Sequence, residues 1–309
     1  MGGRPSHLND AVAGALLGTF VGDALGMPYE GMAPTAVPER LDMVEARRGR
    51  GTYTDDTEMM IVLAESLLEH GSVDEERLAQ AFVERFDPSR GYGAGTLEVL
   101  AGWRRGVPVD TAAQRLFGGE GSLGNGAAMR IAPIAVLFAD SPDELQDQAE
   151  RSARLTHAHP LAVDAATVQA AAVAAALRGE DLLAAARATA KQSVMRRQLD
   201  RVAALVGSRL GPEHAGDLLG NSALGHESVP TAIFAVASHG EFEQAVSFAV
   251  RCGGDTDTLG AMAGALAGAA FGRTAIPARW LDALENGPRG RRYVELLADA
   301  LVATATRPS

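Results

Sequence analysis

Gly14, Gly18, Gly22 and Gly26 recur at every fourth position near the start of the 309-residue chain, and Gly260, Gly264, Gly268 and Gly272 do the same near its end. Glycine costs about 1 kcal/mol against alanine inside a helix, so eight of them on two helical faces call for a compensating contact. At this spacing they form a ridge without side chains, against which a second backbone can pack closely. The simplest arrangement brings the two ridges together, so that the two ends of the sequence meet in the core. The competing account is relaxed composition in a chain with 35 glycines.

The rest of the pattern is helical. Met60, Leu63 and Leu67 fall at i, i+3 and i+7, and the stretch 162–177 is nearly all alanine and valine. Alternating β-branched runs bounded by turns are absent, which predicts an all-α fold. Gly71, Gly106 and Gly179 read as helix stops, and proline-containing connections are expected at Asp87-Pro88-Ser89, Ser141-Pro142 and Ser228 to Pro230. No low-complexity linker divides the chain, so residues 1–309 are read as a single domain with a sizeable core. The charged stretch Lys191 to Arg201 reads as a solvated helix face.

The net charge of -11 argues against non-specific binding to nucleic acid or anionic membrane, although metal ions and backbone donors can still hold an anionic small ligand. Cys252 is the one cysteine, which excludes an intrachain disulfide or a thiolate cluster and suggests a packing role. The N-terminus carries no signal-peptide pattern. The longest apolar run, Leu259 to Gly272, is shorter than the ~20 residues that span a bilayer. A soluble cytoplasmic protein is expected.

Two acidic clusters, about two hundred residues apart, each precede an apolar helix-like stretch: Thr54-Asp55-Asp56-Thr57, and Gly253-Gly254-Asp255-Thr256-Asp257-Thr258. One capping residue suffices for a helix start. Crowded carboxylates repel unless a cation neutralises them, and oxygen donors without cysteine or histidine suit Mg²⁺, Mn²⁺ or Ca²⁺. Each cluster alone is equally readable as an elaborate N-cap; the pair, so similarly placed, points to metal.

The glycine-rich segment Gly118 to Gly126 opens into the helix-like stretch AAMRIAPIAVLFA, and such a loop before a helix can aim backbone N–H groups and the Ser122 hydroxyl at a phosphate, or can be a mobile surface loop. It matches neither the Walker nor the dinucleotide pattern. Gly91-Tyr92-Gly93-Ala94-Gly95 precedes another helical stretch and adds an aromatic ring. Glu30, in Pro28-Tyr29-Glu30-Gly31, is a general acid or base if it reaches the metal site, and otherwise a solvated carboxylate. His157 and His159 form too weak a pattern for metal ligation and suit polar packing or ligand contact.

These segments, taken together and in order over residues 10–280, resemble the ADP-ribosylglycohydrolase family, in particular its branch that hydrolyses serine-linked ADP-ribose and poly(ADP-ribose). The stretches that carry the resemblance are GALLGTFVGDALGMPYEG, YTDDTEM, DPSRGYGAGTLEVL, GSLGNGAAMRIAPIAVL, LTHAHPLA, ESVPTAIFAV and GGDTDTLGAMAGALAG. The resemblance implies an orthogonal all-α domain with two Mg²⁺ ions, Mn²⁺ being an alternative, at the base of an ADP-ribose cleft. It implies ligands from Thr54, Asp55, Asp56, Asp255, Asp257 and Thr258, and catalysis by Glu30 on a mobile loop. Gly91, Tyr92, Gly93, Phe117, Gly121, Ser122, Gly124, Asn125 and His157 match the family's ADP-ribose-contacting motifs. The implied substrate is an ADP-ribosylated protein or small ADP-ribosyl conjugate, with ADP-ribose as product and no direct nucleic-acid partner. Leu123 replaces an aromatic residue common in this branch, and residues 178–220 diverge. Hydrolysis of arginine-linked ADP-ribose, as in the dinitrogen-reductase type, is the alternative activity. A non-catalytic, crystallin-like member is disfavoured because Glu30 and every aspartate are present.

Overall fold

The computed structural model describes residues 4–46 and 49–306. Among the described residues the chain forms sixteen α-helices and five short 3₁₀ turns, and β structure is limited to one isolated antiparallel pairing, Gly124 with Leu224. The all-α expectation holds.

The glycine ridges meet as expected. The Arg4–Gly26 helix and the Thr256–Phe271 helix run antiparallel, face to face. A Cβ added at Gly14, Gly18 or Gly22 would lie 2.2, 2.1 or 1.9 Å from the carbonyl oxygen of Gly268, Gly264 or Gly260 respectively. Side chains there would separate the helices, so the contact repays the helical cost of glycine. Gly272 departs from the expectation in part: it ends its helix at φ 82° with its carbonyl carbon close to Gly14, and its own open side faces the Asp10 carboxylate. The ridge register also sets which helix ends meet. Gly26 abuts Thr256, whose hydroxyl donates to the Gly26 carbonyl at 2.8 Å, so the end of the first helix lies against the start of the last ridge helix.

Around this pair lie other helices buried on nearly every side. Pro160–Leu177 is alanine-rich and packs on Thr256–Phe271, where Gln169 Nε2 donates to the Met262 carbonyl at 3.1 Å. The stretch His7–Tyr29 and the helix Pro160–Leu177 are in fact long and apolar enough to span a bilayer, contrary to the run-length reading. Their apolar windows are 83% and 89% buried inside the protein, as befits core helices. Outer helices such as Pro142–Arg154 and Ser193–Leu205 bury a single stripe; in the latter Met195, Leu199 and Val202 face inward, and the remainder is the solvated face the charges predicted. Pro230 is not a connection. It sits inside the Gly225–Ala237 helix, where the preceding turn carries a Ser228 hydroxyl bonded back to the Leu224 carbonyl at 3.1 Å. Cys252 is buried and packs, its thiol directed at the Phe248 carbonyl.

Candidate active site

Three helix ends converge where the glycine register places them. The first acidic turn starts the Asp55–His70 helix, with Thr54 as N-cap. It is held from behind by Asp23, a fully buried carboxylate in the last turns of the first helix. Asp23 accepts from the Thr54 amide at 3.0 Å, the Thr54 hydroxyl at 2.9 Å, the Thr57 amide at 3.1 Å and the Thr57 hydroxyl at 2.6 Å. Sequence reasoning passed over Asp23. Its signal was there: a carboxylate in the apolar, glycine-ridged half of the helix.

The second acidic turn starts the Thr256–Phe271 helix, with Asp255 as N-cap. Gly253 and Gly254 both take φ near +72°, and a Cβ on Gly254 would lie 2.2 Å from the Asn221 carbonyl oxygen. That same carbonyl accepts from the Asp255 amide at 2.8 Å, and Asn125 Nδ2 donates to Asp255 Oδ2 at 2.6 Å. Glu30 ends a short 3₁₀ turn, Met27–Tyr29, and is exposed. The backbone beyond it is stitched to the second turn, Gly31 N to the Gly254 carbonyl at 2.8 Å and Gly254 N to the Met32 carbonyl at 2.9 Å.

The two turns therefore form one constellation. Thr258 Oγ1 lies 3.4 Å from Asp56 Oδ2, across 202 residues of sequence. Glu30, Asp255 and Asp257 can each bring a carboxylate oxygen within 4.8 Å of the others. Burial, and then neighbouring carboxylates, push the Asp55 carboxyl up to about 8 and raise Asp56 and Asp257 well above the ordinary range. Asp255 is raised by burial, and Asp23 by burial to about 6. Asp56 Oδ1 is buried without a hydrogen-bond donor. Crowded oxygen donors with an orphaned buried oxygen suit a hard divalent cation, which would supply the missing positive charge.

The carboxylates form the floor of a cleft of about 460 Å³. Its lining takes in Glu30, Asp55, Asp56, Asp255, Asp257 and Thr258 from the expected set, and Gly91, Gly93, Phe117, Gly121, Ser122, Gly124, Asn125 and His157 from the glycine-rich segments. Two expected residues lie elsewhere. Thr54 is buried against Asp23 and borders an adjoining cavity of about 300 Å³. Tyr92 turns its ring away, packs on Phe86 and donates its hydroxyl to the buried Glu58 carboxylate at 2.6 Å. Met129, Thr96, Ala223 and Leu224 line the cleft without having been singled out.

The glycine-rich wall is not a helix N-terminus, as the phosphate-cradle reading assumed. A bend at Asn125 leads into turns over residues 126–130, and the next helix, Ala132–Leu137, starts six residues after Gly126. The wall is instead braced by the 223–225 segment, through Asn125 N to the Ala223 carbonyl at 2.9 Å and Gly225 N to the Leu123 carbonyl at 3.0 Å. Phe117 stands on its rim, 67% exposed and with φ 51°, a left-handed conformation costly for a residue with a side chain. His159 caps the Pro160–Leu177 helix, accepting from Leu161 N at 3.1 Å, whereas His157 reaches the cleft. Burial, and secondly Arg130, push His157 down to about 3, so its ring is neutral.

An all-α body with paired acidic helix starts beneath a glycine-walled cleft brings together crowded oxygen donors of the kind that suit a hard divalent cation. The ADP-ribosylglycohydrolase family model matches residues 4–309, and the chain belongs to that family of glycosidic-bond hydrolases. It is 33% identical to ADP-ribosylhydrolase ARH3 of Danio rerio over 88% of this chain and 86% of the relative. It is 31% identical to the ADP-ribosyl-[dinitrogen reductase] glycohydrolase of Rhodospirillum rubrum over 96% of this chain and 97% of that one. A solved structure described as an ADP-ribosylglycohydrolase-related protein complex superposes with a TM-score of 0.81 at 33% identity, covering 97% of this chain and all of its own.

Proposed function

We propose that this enzyme removes ADP-ribose from O-linked, serine-type protein conjugates, and from poly(ADP-ribose) or related ADP-ribosyl compounds, with two Mg²⁺ ions bound by the two acidic turns. The observation that carries the reading is the convergence of Glu30, Asp255 and Asp257 with the Asp55–Asp56 turn on the floor of a cleft large enough for part of a nucleotide ligand. The resemblance of the motifs to the serine-ADP-ribose branch supports the O-linked class, and the chain matches the relative named ADP-ribosylhydrolase ARH3 over most of its length.

Hydrolysis forms a bond from water oxygen to the anomeric carbon and breaks the bond from that carbon to the departing oxygen, which must gain a proton. Bound cations would supply positive charge for the ribose hydroxyls and for the attacking water. Asp55, Asp56, Asp255 and Asp257 hold that charge in place, with Thr258 beside them and Thr54 locking the first turn. Glu30, exposed at the cleft edge within reach of Asp255 and Asp257, is the group that moves the proton. Phe117 offers a ring to the adenine, and the backbone of the Gly121–Asn125 wall and of Gly91 and Gly93 faces the diphosphate and ribose.

A release assay tests this directly, using serine-linked, arginine-linked and polymeric ADP-ribose, each with Mg²⁺ and with chelator. Mg²⁺-dependent release from the serine-linked substrate is the expected result. Preference for the arginine-linked substrate would move the enzyme to the dinitrogen-reductase type, and full activity in chelator would remove the metal.

A further inference from the structure

Behind the glycine-rich wall, a chain of buried donors and acceptors ends on the cleft. Arg130 is wholly buried, and its guanidinium donates to neutral partners: the Gly126 carbonyl at 3.1 Å, the Ser152 carbonyl at 2.8 Å and the Thr156 hydroxyl at 2.9 Å. Its flat face lies over the Phe82 ring at 5.0 Å, so the group is fixed from several sides. A guanidinium has no acceptor, which makes Thr156 Oγ1 the acceptor of that bond. Thr156 is itself wholly buried, and its oxygen lies 2.8 Å from His157 Nδ1. The hydroxyl carries one proton, and Nδ1 is positioned to take it. A proton already on Nδ1 would strand the hydroxyl proton, because Thr156 Oγ1 has only Arg130 and His157 as hydrogen-bond partners among the described residues.

We propose that Arg130 and Thr156 hold His157 as the neutral tautomer with its proton on Nε2, so that the ring presents a permanent hydrogen-bond donor to the cleft. The wall is cut to let that edge through. A Cβ on Gly126 would lie 2.6 Å from His157 Cε1, and one on Gly124 would lie 3.1 Å from Nε2. Both glycines line the cleft with His157. The donor therefore serves an acceptor atom of the ligand, a diphosphate or ribose oxygen. This last step rests on the reading of the cleft as an ADP-ribose site, while the tautomer does not. Arg130 and Thr156 act here as positioning residues, and a donor of this kind keeps its proton through the range where an ordinary histidine titrates.

Long-range ¹⁵N–¹H NMR of histidine-labelled protein tests the assignment, with His157→Gln identifying the resonance. The wild-type ring should show the Nε2–H pattern throughout roughly pH 5–8. Thr156→Val should release it to an Nδ1–H population and weaken ADP-ribose binding about tenfold, whereas Thr156→Ser should restore both. An Nδ1–H pattern in the wild type overturns the proposal, and this needs no variant to fold. An unchanged tautomer in a folded Thr156→Val protein overturns it equally. Failure of the wild type to bind ADP-ribose would instead sink the functional reading, and the spectrum would still decide the tautomer.

Discussion

The two acidic turns look alike in sequence and are built differently. The Thr54–Thr57 turn is gripped by a carboxylate, Asp23, whose two oxygens collect amide and hydroxyl donors from both threonines. The Asp255–Thr258 turn is held by neutral groups: the Asn221 carbonyl, the Asn125 amide, and two glycines with left-handed backbones. The first support adds negative charge behind a site already crowded with it, and the second adds none. Similar motifs can thus reach one site with different electrostatic consequences. The Asp23 side would lean on the proposed cation, while the Asn125 side is held by shape.

Glu30 belongs to neither turn, and its removal should have the largest effect on turnover alone. Glu30→Gln is expected to lower kcat by ~10²–10⁴-fold, with ADP-ribose affinity in Mg²⁺ near that of the wild type. Parallel loss of ion and ligand binding would make Glu30 part of the metal set, and an unchanged kcat would exclude the proposed proton transfer.

The contrast between the turns is tested by Asp23→Asn against Asn125→Ala. Both supports orient groups that would face the proposed metal, so each change should weaken Mg²⁺ binding by about 10–100-fold. They should part company on ligand. Asn125 lines the cleft and Asp23 is buried behind it, so only Asn125→Ala should also weaken ADP-ribose binding measured at saturating Mg²⁺. Equal ligand losses in the two variants would show that the turns are not independently supported.

A smaller effect arises from charge. In the folded, metal-free protein Asp55 keeps its proton up to about 8 and Asp23 up to about 6, against 3.8 for each when unfolded. The folded state then binds more protons than the unfolded state, so stability falls as pH rises from about 4 towards 8. Melting temperature without metal should drop by several degrees between pH 6 and pH 8, and saturating Mg²⁺, which needs ionised carboxylates, should remove most of that slope. A melting temperature that climbs over this range without metal would contradict the buried-carboxylate account.

Much of this architecture was legible in the chain before its fold. Helix-breaking cost made the glycine ridges conspicuous, and their contact dictates that Asp23, Glu30 and the Asp255–Thr258 turn share one end of the helix pair. Excess carboxylates at helix starts announced the floor. The supports were harder to read, because they depend on partners distant in sequence: nothing local in Asn221 or Asp23 declares which turn it serves. Tyr92 misled for a related reason. Its glycine neighbours do face the cleft, but a buried Glu58 on another helix takes the hydroxyl inward. The turns after Asn125 were mistaken for a helix start because alanine-rich sequence favours helix, whereas Arg130 takes the Gly126 carbonyl there and the Asn125 side chain is bonded to Ser228 and Asp255.

The central claim is that the two turns make one divalent-cation site. Calorimetric titration of Mg²⁺ into the wild type, Asp55→Ala and Asp257→Ala, each checked for folding by circular dichroism, tests it most directly. Binding in the wild type and its loss in both variants are expected, although the substitutions lie 202 residues apart in sequence. Wild-type affinity in either variant would remove that turn from the site and contradict the claim.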